Sequence, residues 1–231
     1  MEYMLLILDR SGEPPRASVG VEEMTKFARE LAERGILREA AGPLRPESEG
    51  ARVRVRNGVA TVTDGPFAET HEVVGGYFAV EVPDRAAAIE IAKRCPYARA
   101  GAIEVRGMKH DWHVDGSGAP RFVFMYLSGP EATAPDPARM REMMTFSVEL
   151  GRKGTIIGGG RLPAETPPAR IEVRGAQTLV TDGPFAETKE VLAGYALIEA
   201  ASRAEAIEIA ERCPHATWGA VVVREVGRGP Q

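Results

Sequence analysis

Two aspartates open the phrase Asp-Gly-Pro-Phe-Ala-Glu-Thr, once at Asp64–Thr70 and again at Asp182–Thr188. A loop aspartate can serve as a general base or anchor a ligand when a substrate proton lies within reach. Asp-Gly-Pro is also a strong turn: Asp bonds the backbone two residues on, Gly tolerates positive φ, and Pro fixes the next φ. The turn is the simpler reading, and it needs no chemistry. Arginines recur too, Arg56 with Arg106 and Arg174 with Arg224, all at strand ends. A guanidinium can clamp a carboxylate or phosphate through paired hydrogen bonds, or can merely fasten the Asp loop. Tyr77 and Tyr195 each stand four residues before a glutamate, Glu81 or Glu199. Residues i and i+4 of a strand share a face, so phenol and carboxylate would be neighbours if that face lines a cleft. The tyrosine recurs while its neighbour on the other face changes from Phe78 to Ala196, which favours the cleft. The expected site therefore has Asp64 and Asp182 as acid–base groups. Arg56, Arg174, Arg106, Arg224, Tyr77 and Tyr195 would hold a small-molecule ligand, without metal or organic cofactor.

Other clusters read more plainly. Glu69 with Glu72, and Glu187 with Glu190, could share a helical face and bind a cation. A solvated first helical turn explains them as well, and hard cations usually need more oxygen ligands. His71 stands between the first pair, but Lys189 replaces it in the second. His110, Asp111, His113 and Asp115 could bind a transition metal, yet they occur once, in a segment expected to be a linker. Cys95 and Cys213 fall on apolar helix faces, where a buried, inert thiol is expected. Nucleotide-binding glycine loops, a serine elbow and zinc-type cysteine spacing are all missing from the chain.

These residues are positioned by a duplicated framework. The two phrases are 118 residues apart, 182 − 64. From Asp64 to Arg106 roughly three positions in five match the second copy, more than a shared architecture would require. Each copy predicts a strand (Met4–Leu8 in the first), a helix with Met24, Phe27, Ala28 and Leu31 inward, and an extended segment broken by Gly42-Pro43. The alternating strand Arg52–Arg56, the run Val59–Thr63 and the strand Tyr77–Val82 follow. A second helix, about Arg85–Arg94, stops before Pro96, and its counterpart begins with the capping box Ser202-x-x-Glu205. Ala102–Arg106 closes the copy. The order β-α-β-β-β-α-β predicts an α+β ferredoxin-like unit whose two helices cover one sheet face. The other face needs a partner, and the second copy supplies it. The predicted architecture is thus two tandem ferredoxin-like units forming an intrachain dimeric α+β barrel: copy one over 1–106, a linker over 107–120, copy two over 121–226. A further homodimer is left open.

Composition is that of a globular protein: 44% hydrophobic, 27% charged, net charge −4. Scattered basic residues in an acidic chain argue against nucleic acid as a partner. The apolar run Met4–Leu8 is too short for an export signal, and no stretch reaches membrane-spanning length. A cytoplasmic location is expected, in which two cysteines favour free thiols over a disulfide.

The start Tyr3-Met4-Leu5-Leu6-Ile7, the central Val55-Arg56, Thr63–Thr70 and the closing Ile103-Glu104-Val105-Arg106 resemble the YCII-related proteins, and more narrowly their DGPF-domain branch. The resemblance covers both copies. It implies a dimeric α+β barrel with a cleft between facing sheets, in bacterial cytosolic proteins often encoded beside extracytoplasmic-function sigma factors. It implies no established reaction. A His–Asp pair has been proposed for the wider group, but neither copy has a histidine in its first-helix region. The alternative to a small-molecule site is a non-catalytic regulatory or interaction module associated with such sigma factor systems.

Overall fold

The computed structural model describes residues 1–10, 19–67, 72–114, 116–129, 136–163, 168–183 and 190–227, without the side chains of 10 and 110–113. The first copy runs β1 (Glu2–Arg10), α1 (Val21–Glu33), β2 (Leu37–Ala41), β3 (Ala51–Arg56), β4 (Val59–Asp64), β5 (Glu72–Glu81), α2 (Arg85–Arg94), β6 (Ala102–His113). The second runs β7 (Arg121–Ser128), α3 (Pro137–Arg152), β8 (Ile156–Arg161), β9 (Ala169–Arg174), β10 (Gln177–Asp182), β11 (Val191–Glu199), α4 (Arg203–Glu211), α5 (His215–Trp218), β12 (Ala220–Glu225).

Local chemistry sets the helix ends. Asp84 caps α2 by accepting from the Ala87 N–H, and Ser202 caps α4 by accepting from Glu205 N–H. Cys95, before Pro96, is extended and ends α2. Gly35 follows α1 at φ +67°, a conformation that favours glycine. Phe27 and Leu31 of α1 are buried, and Met24 and Ala28 pack beside them.

Eight strands close a ring in the order β2-β5-β1-β6-β8-β11-β7-β12. One seam is the pairing of Lys109–His113 with β8. The other joins the chain after β2 to the end of β12 through the Leu44–Val226 bridge, Arg45 N–H to Glu225 O (2.8 Å) and Gly227 N–H to Pro43 O (2.7 Å). The tandem units therefore form one barrel, as the uncovered sheet faces require. Residues Gly107–His113, expected as linker, instead extend β6, because Met108 packs into the barrel interior and the backbone beyond it finds partners on β8.

The hairpins β3–β4 and β9–β10 are exchanged between copies. β3 of the first copy pairs with β12 of the second, and β9 of the second pairs with β6 of the first. Alternation then decides what each face meets. Val53 is fully buried in the helix-covered core of the second copy, and Ile171 in that of the first. Arg52, Arg54, Arg170 and Glu172, on the other face, turn toward the barrel interior. Each fully buried aliphatic side chain contributes about 1.5–3 kcal/mol, so the exchange locks the halves together. A third core, shared by both copies, fills the barrel with Met4, Leu6, Ala79, Val123, Met125, Leu197 and their neighbours.

Candidate functional site

Strand register carries one row of side chains across each half of the interior. In the first half Tyr77, Leu6, Glu104 and Arg170 are successive cross-strand partners. In the second, Tyr195, Met125, Val222 and Arg52 occupy the equivalent places. The rows meet at the tyrosines, whose rings pack edge to face with centroids 4.9 Å apart. Both phenols are buried, and the Tyr77 hydroxyl donates to the buried Glu39 carboxylate. Burial, then the nearby Glu39 charge, pushes both phenols well above their ordinary pKa. The Tyr195 hydroxyl is buried beside Glu39 and the Tyr77 hydroxyl but makes no well-aligned hydrogen bond. Register places Gly158 where the first copy has Glu39: Glu39 pairs with Ala79, Gly158 with Leu197.

The outer end of the first row is an ionic cluster. Arg170 donates to Glu72 (2.7 Å) and Glu172 (2.7 Å), and Arg174 donates to Glu172 (2.6 Å). The Glu72 bonds lead in raising the Arg170 pKa. Glu172 is pushed up by burial, but its two arginines outweigh that and lower it. Glu104, with 15% of its side chain exposed, sits beside Arg106 at 3.3 Å. Desolvation raises its pKa, Arg106 only partly offsets this, and Glu72 adds repulsion. A largely buried carboxyl with a raised pKa, flanked by guanidinium groups, can exchange a proton with a bound molecule.

The outer end of the second row differs. Arg54 donates to Glu190 (2.7 Å), Arg52 approaches the same carboxylate at 3.5 Å, and Arg52 lies 4.5 Å above the Phe67 ring. Arg224 donates through Nε to the Arg45 carbonyl (3.0 Å). Burial lowers the pKa of Arg224, against the pull of Glu47, Asp9 and Glu49.

The structure does not gather the expected residues around one ligand. Asp64 and Asp182 end the exchanged hairpins with 73% and 68% of their side chains exposed. Each pairs with an arginine at the start of the other copy's helix, Asp64 with Arg203 and Asp182 with Arg85. The loop role thus accounts for them, and Gly65 is needed because a Cβ there would lie 2.1 Å from the Glu47 carbonyl oxygen, not for a positive φ. Arg56 donates to the carbonyls of Ala216 (2.9 Å), Thr217 (3.1 Å) and Gly219 (3.2 Å) at the end of α5. Arg174 is exposed on Glu172. Arg106 and Arg224 do lie inside, as do Tyr77 and Tyr195. The expected Tyr–Glu neighbours do not form: Glu81 pairs with Arg38 at the surface, and Glu199 accepts from Ser117 N–H and Oγ, both at 2.7 Å. Glu72 and Glu190 precede or begin strands and meet arginines, so the expected helical turn is replaced by ion pairs. Glu69, His71, Glu187 and Asp115 lie outside the described residues, as do the side chains of His110, Asp111 and His113. Cys95 and Cys213 are free thiols in separate cores, both pushed by burial to a pKa of about 12.

A family model of the YCII-related domain matches twice, over residues 1–112 and 121–228. The chain belongs to the YCII-related family. An uncharacterized protein of Rhizobium meliloti (strain 1021) is 44% identical to this YCII-related chain over 63 residues, 27% of this chain and 48% of the relative. The match therefore spans about half the length of that curated relative. A crystal structure named only provisionally as a chlorite dismutase aligns with 99% of this chain and 95% of its own, at 11% identity and a TM-score of 0.39. So remote a likeness carries no argument. Among the described residues no helix is long and apolar enough to cross a membrane.

Sequence reasoning missed Glu39, Glu104, Arg52, Arg54, Arg170 and Glu172. The alternation of Arg52 and Arg54 with Val53 and Val55 was the available signal. It reads as a half-buried strand with a wet face, because one sequence does not reveal that an exchanged hairpin is covered on both sides.

Proposed function

We propose that this YCII-related protein binds a small molecule carrying an oxyanion at the first ionic cluster, and that Glu104 exchanges a proton with it. Arg106 and Arg170 would orient the anionic part, and Glu72 and Glu172 would keep Arg170 in place. The observation that carries this reading is Glu104 itself: a largely buried carboxyl with a raised pKa beside Arg106, facing the interior at the seam between the two copies. The second copy has Val222 at that position, so the chemistry would belong to one end of the barrel.

A second reading is a non-catalytic regulatory or interaction module of the kind encoded beside extracytoplasmic-function sigma factors. The apolar filling of the barrel centre favours it. A thermal-shift screen of small carboxylic acids, phosphorylated acids and their esters separates the two. The acid–base reading expects stabilisation of the wild type that is lost in Glu104→Gln and kept in the Asp64→Asn/Asp182→Asn variant. Ligand stabilisation that survives Glu104→Gln and disappears in the aspartate variant would return the site to the Asp-Gly-Pro loops. A screen without any stabilising compound would favour the module.

A further inference from the structure

We infer that the opposite end of the barrel, around Arg52, Arg54 and Arg224, is a separate receptor for the oxyanion of a small molecule, a carboxylate or a phosphate. Among the described residues this end brings three guanidinium groups against one carboxylate in direct ion pairing, Glu190. Glu190 is committed to Arg54 at 2.7 Å, which leaves Arg52 with a 3.5 Å approach. Only 6% of the Arg52 side chain is exposed, and its Nε has no hydrogen-bond partner. A buried guanidinium left in that state is costly unless an acceptor arrives. The central carbon of the guanidinium lies over the Phe67 ring, and the N–H groups that the ring and Glu190 do not engage remain to bind an oxyanion.

Arg224 adds field more than hydrogen bonds, since it donates to the Arg45 and Val74 carbonyls. Glu47, Asp9 and Glu49 answer part of its charge. The equivalent end of the first half balances its charges internally, although the buried Arg106 Nε there also has no hydrogen-bond partner. There Glu172 stands in place of Arg54 and Glu104 in place of Val222, and Arg170 bridges Glu72 and Glu172. The second end has lost both of those carboxylates and gained a cation. That pattern is expected of a site completed by an anion from outside.

This inference uses residues other than Glu104, so each can fail alone. Isothermal titration calorimetry at constant ionic strength tests it, with inorganic phosphate and malonate as separate probes. At least one should bind saturably to the wild type. Arg54→Glu reproduces the arrangement at Glu172 and should fold, with Arg52 bridging two carboxylates as Arg170 does. It should weaken binding about tenfold or more through loss of a charge-assisted contact. Arg52→Met should abolish binding while leaving the anion-free melting temperature unchanged or raised. A response to phosphate alone points to a phosphoryl group, a response to malonate alone to a carboxylate, and either supports the site. Absence of saturable binding by both probes would overturn it. So would undiminished binding to Arg54→Glu and Arg52→Met, or an anion-free melting temperature lowered by Arg52→Met, which would make Arg52 a structural partner of Glu190.

Discussion

Glu72, Glu104, Arg106, Arg170 and Glu172 at one end of the barrel correspond in register to Glu190, Val222, Arg224, Arg52 and Arg54 at the other. The backbone frame is the same in both, including the exchanged hairpin. The charges are not: one end balances its arginines with carboxylates, among them Glu104 with a pKa raised by burial, while the other is rich in arginine. The exchange explains how this divergence arises. Each end is built from both copies, so in a homodimer of single-copy chains every substitution would appear at both ends. Fusing the copies makes Arg54 and Glu172 separate positions, free to take opposite charges. The centre diverged in the same way, with Glu39 reaching the tyrosine pair from one side and Gly158 facing it from the other.

The frame should be the most costly part to disturb. Ile171, a second-copy residue buried in the first copy's core, should lose about 2–5 kcal/mol of stability as Ile171→Ala. Chemical denaturation should still show one cooperative transition. Two separate transitions, with only the second half weakened, would mean that each hairpin stays with its own copy. The tyrosine pair should respond unequally. Tyr77→Phe leaves the buried Glu39 carboxylate short of a donor and should cost about 1–3 kcal/mol. Tyr195→Phe removes a hydroxyl that lies near the same carboxylate without a well-aligned hydrogen bond, and should cost less. Equal losses would show that the centre is symmetric in solution.

A smaller effect follows from Glu104. Its folded-state pKa is raised, chiefly by desolvation, so the native protein holds this proton more tightly than the unfolded chain does. Ionisation therefore costs stability progressively as pH rises from the ordinary value of 4.5, and the full cost is present above the raised folded value. Glu104→Gln should raise the melting temperature at about pH 8, with the gain shrinking to nothing below the ordinary value. A gain that grows on acidification would contradict the assignment. Smallest of all, Asp64→Asn and Asp182→Asn should each cost less than about 1 kcal/mol, since exposed ion pairs contribute little.

The sequence made the frame legible because periodicity and the 118-residue repeat report on backbone and burial. Phe27 and Leu31 on α1, the alternating faces of Tyr77–Val82 and the helix stop before Pro96 all follow from local rules. The two ends proposed as sites were much less legible. Repetition drew attention to Asp64 and Asp182, but what repeats most faithfully here is a turn and its cross-copy ion pair. The proposed sites lie where the copies differ, at Glu104 against Val222 and Glu172 against Arg54, and recurrence does not point to such positions. Only the pairing of β9 with β6 and of β3 with β12 shows that these residues face one another.

Carboxyl-resolved NMR titration of Glu104 tests the account most directly, in the wild type and in Arg106→Met. The midpoint should lie above those of the surface glutamates and move higher when the Arg106 guanidinium is removed. A Glu104 that titrates together with the surface glutamates and ignores Arg106→Met would contradict it.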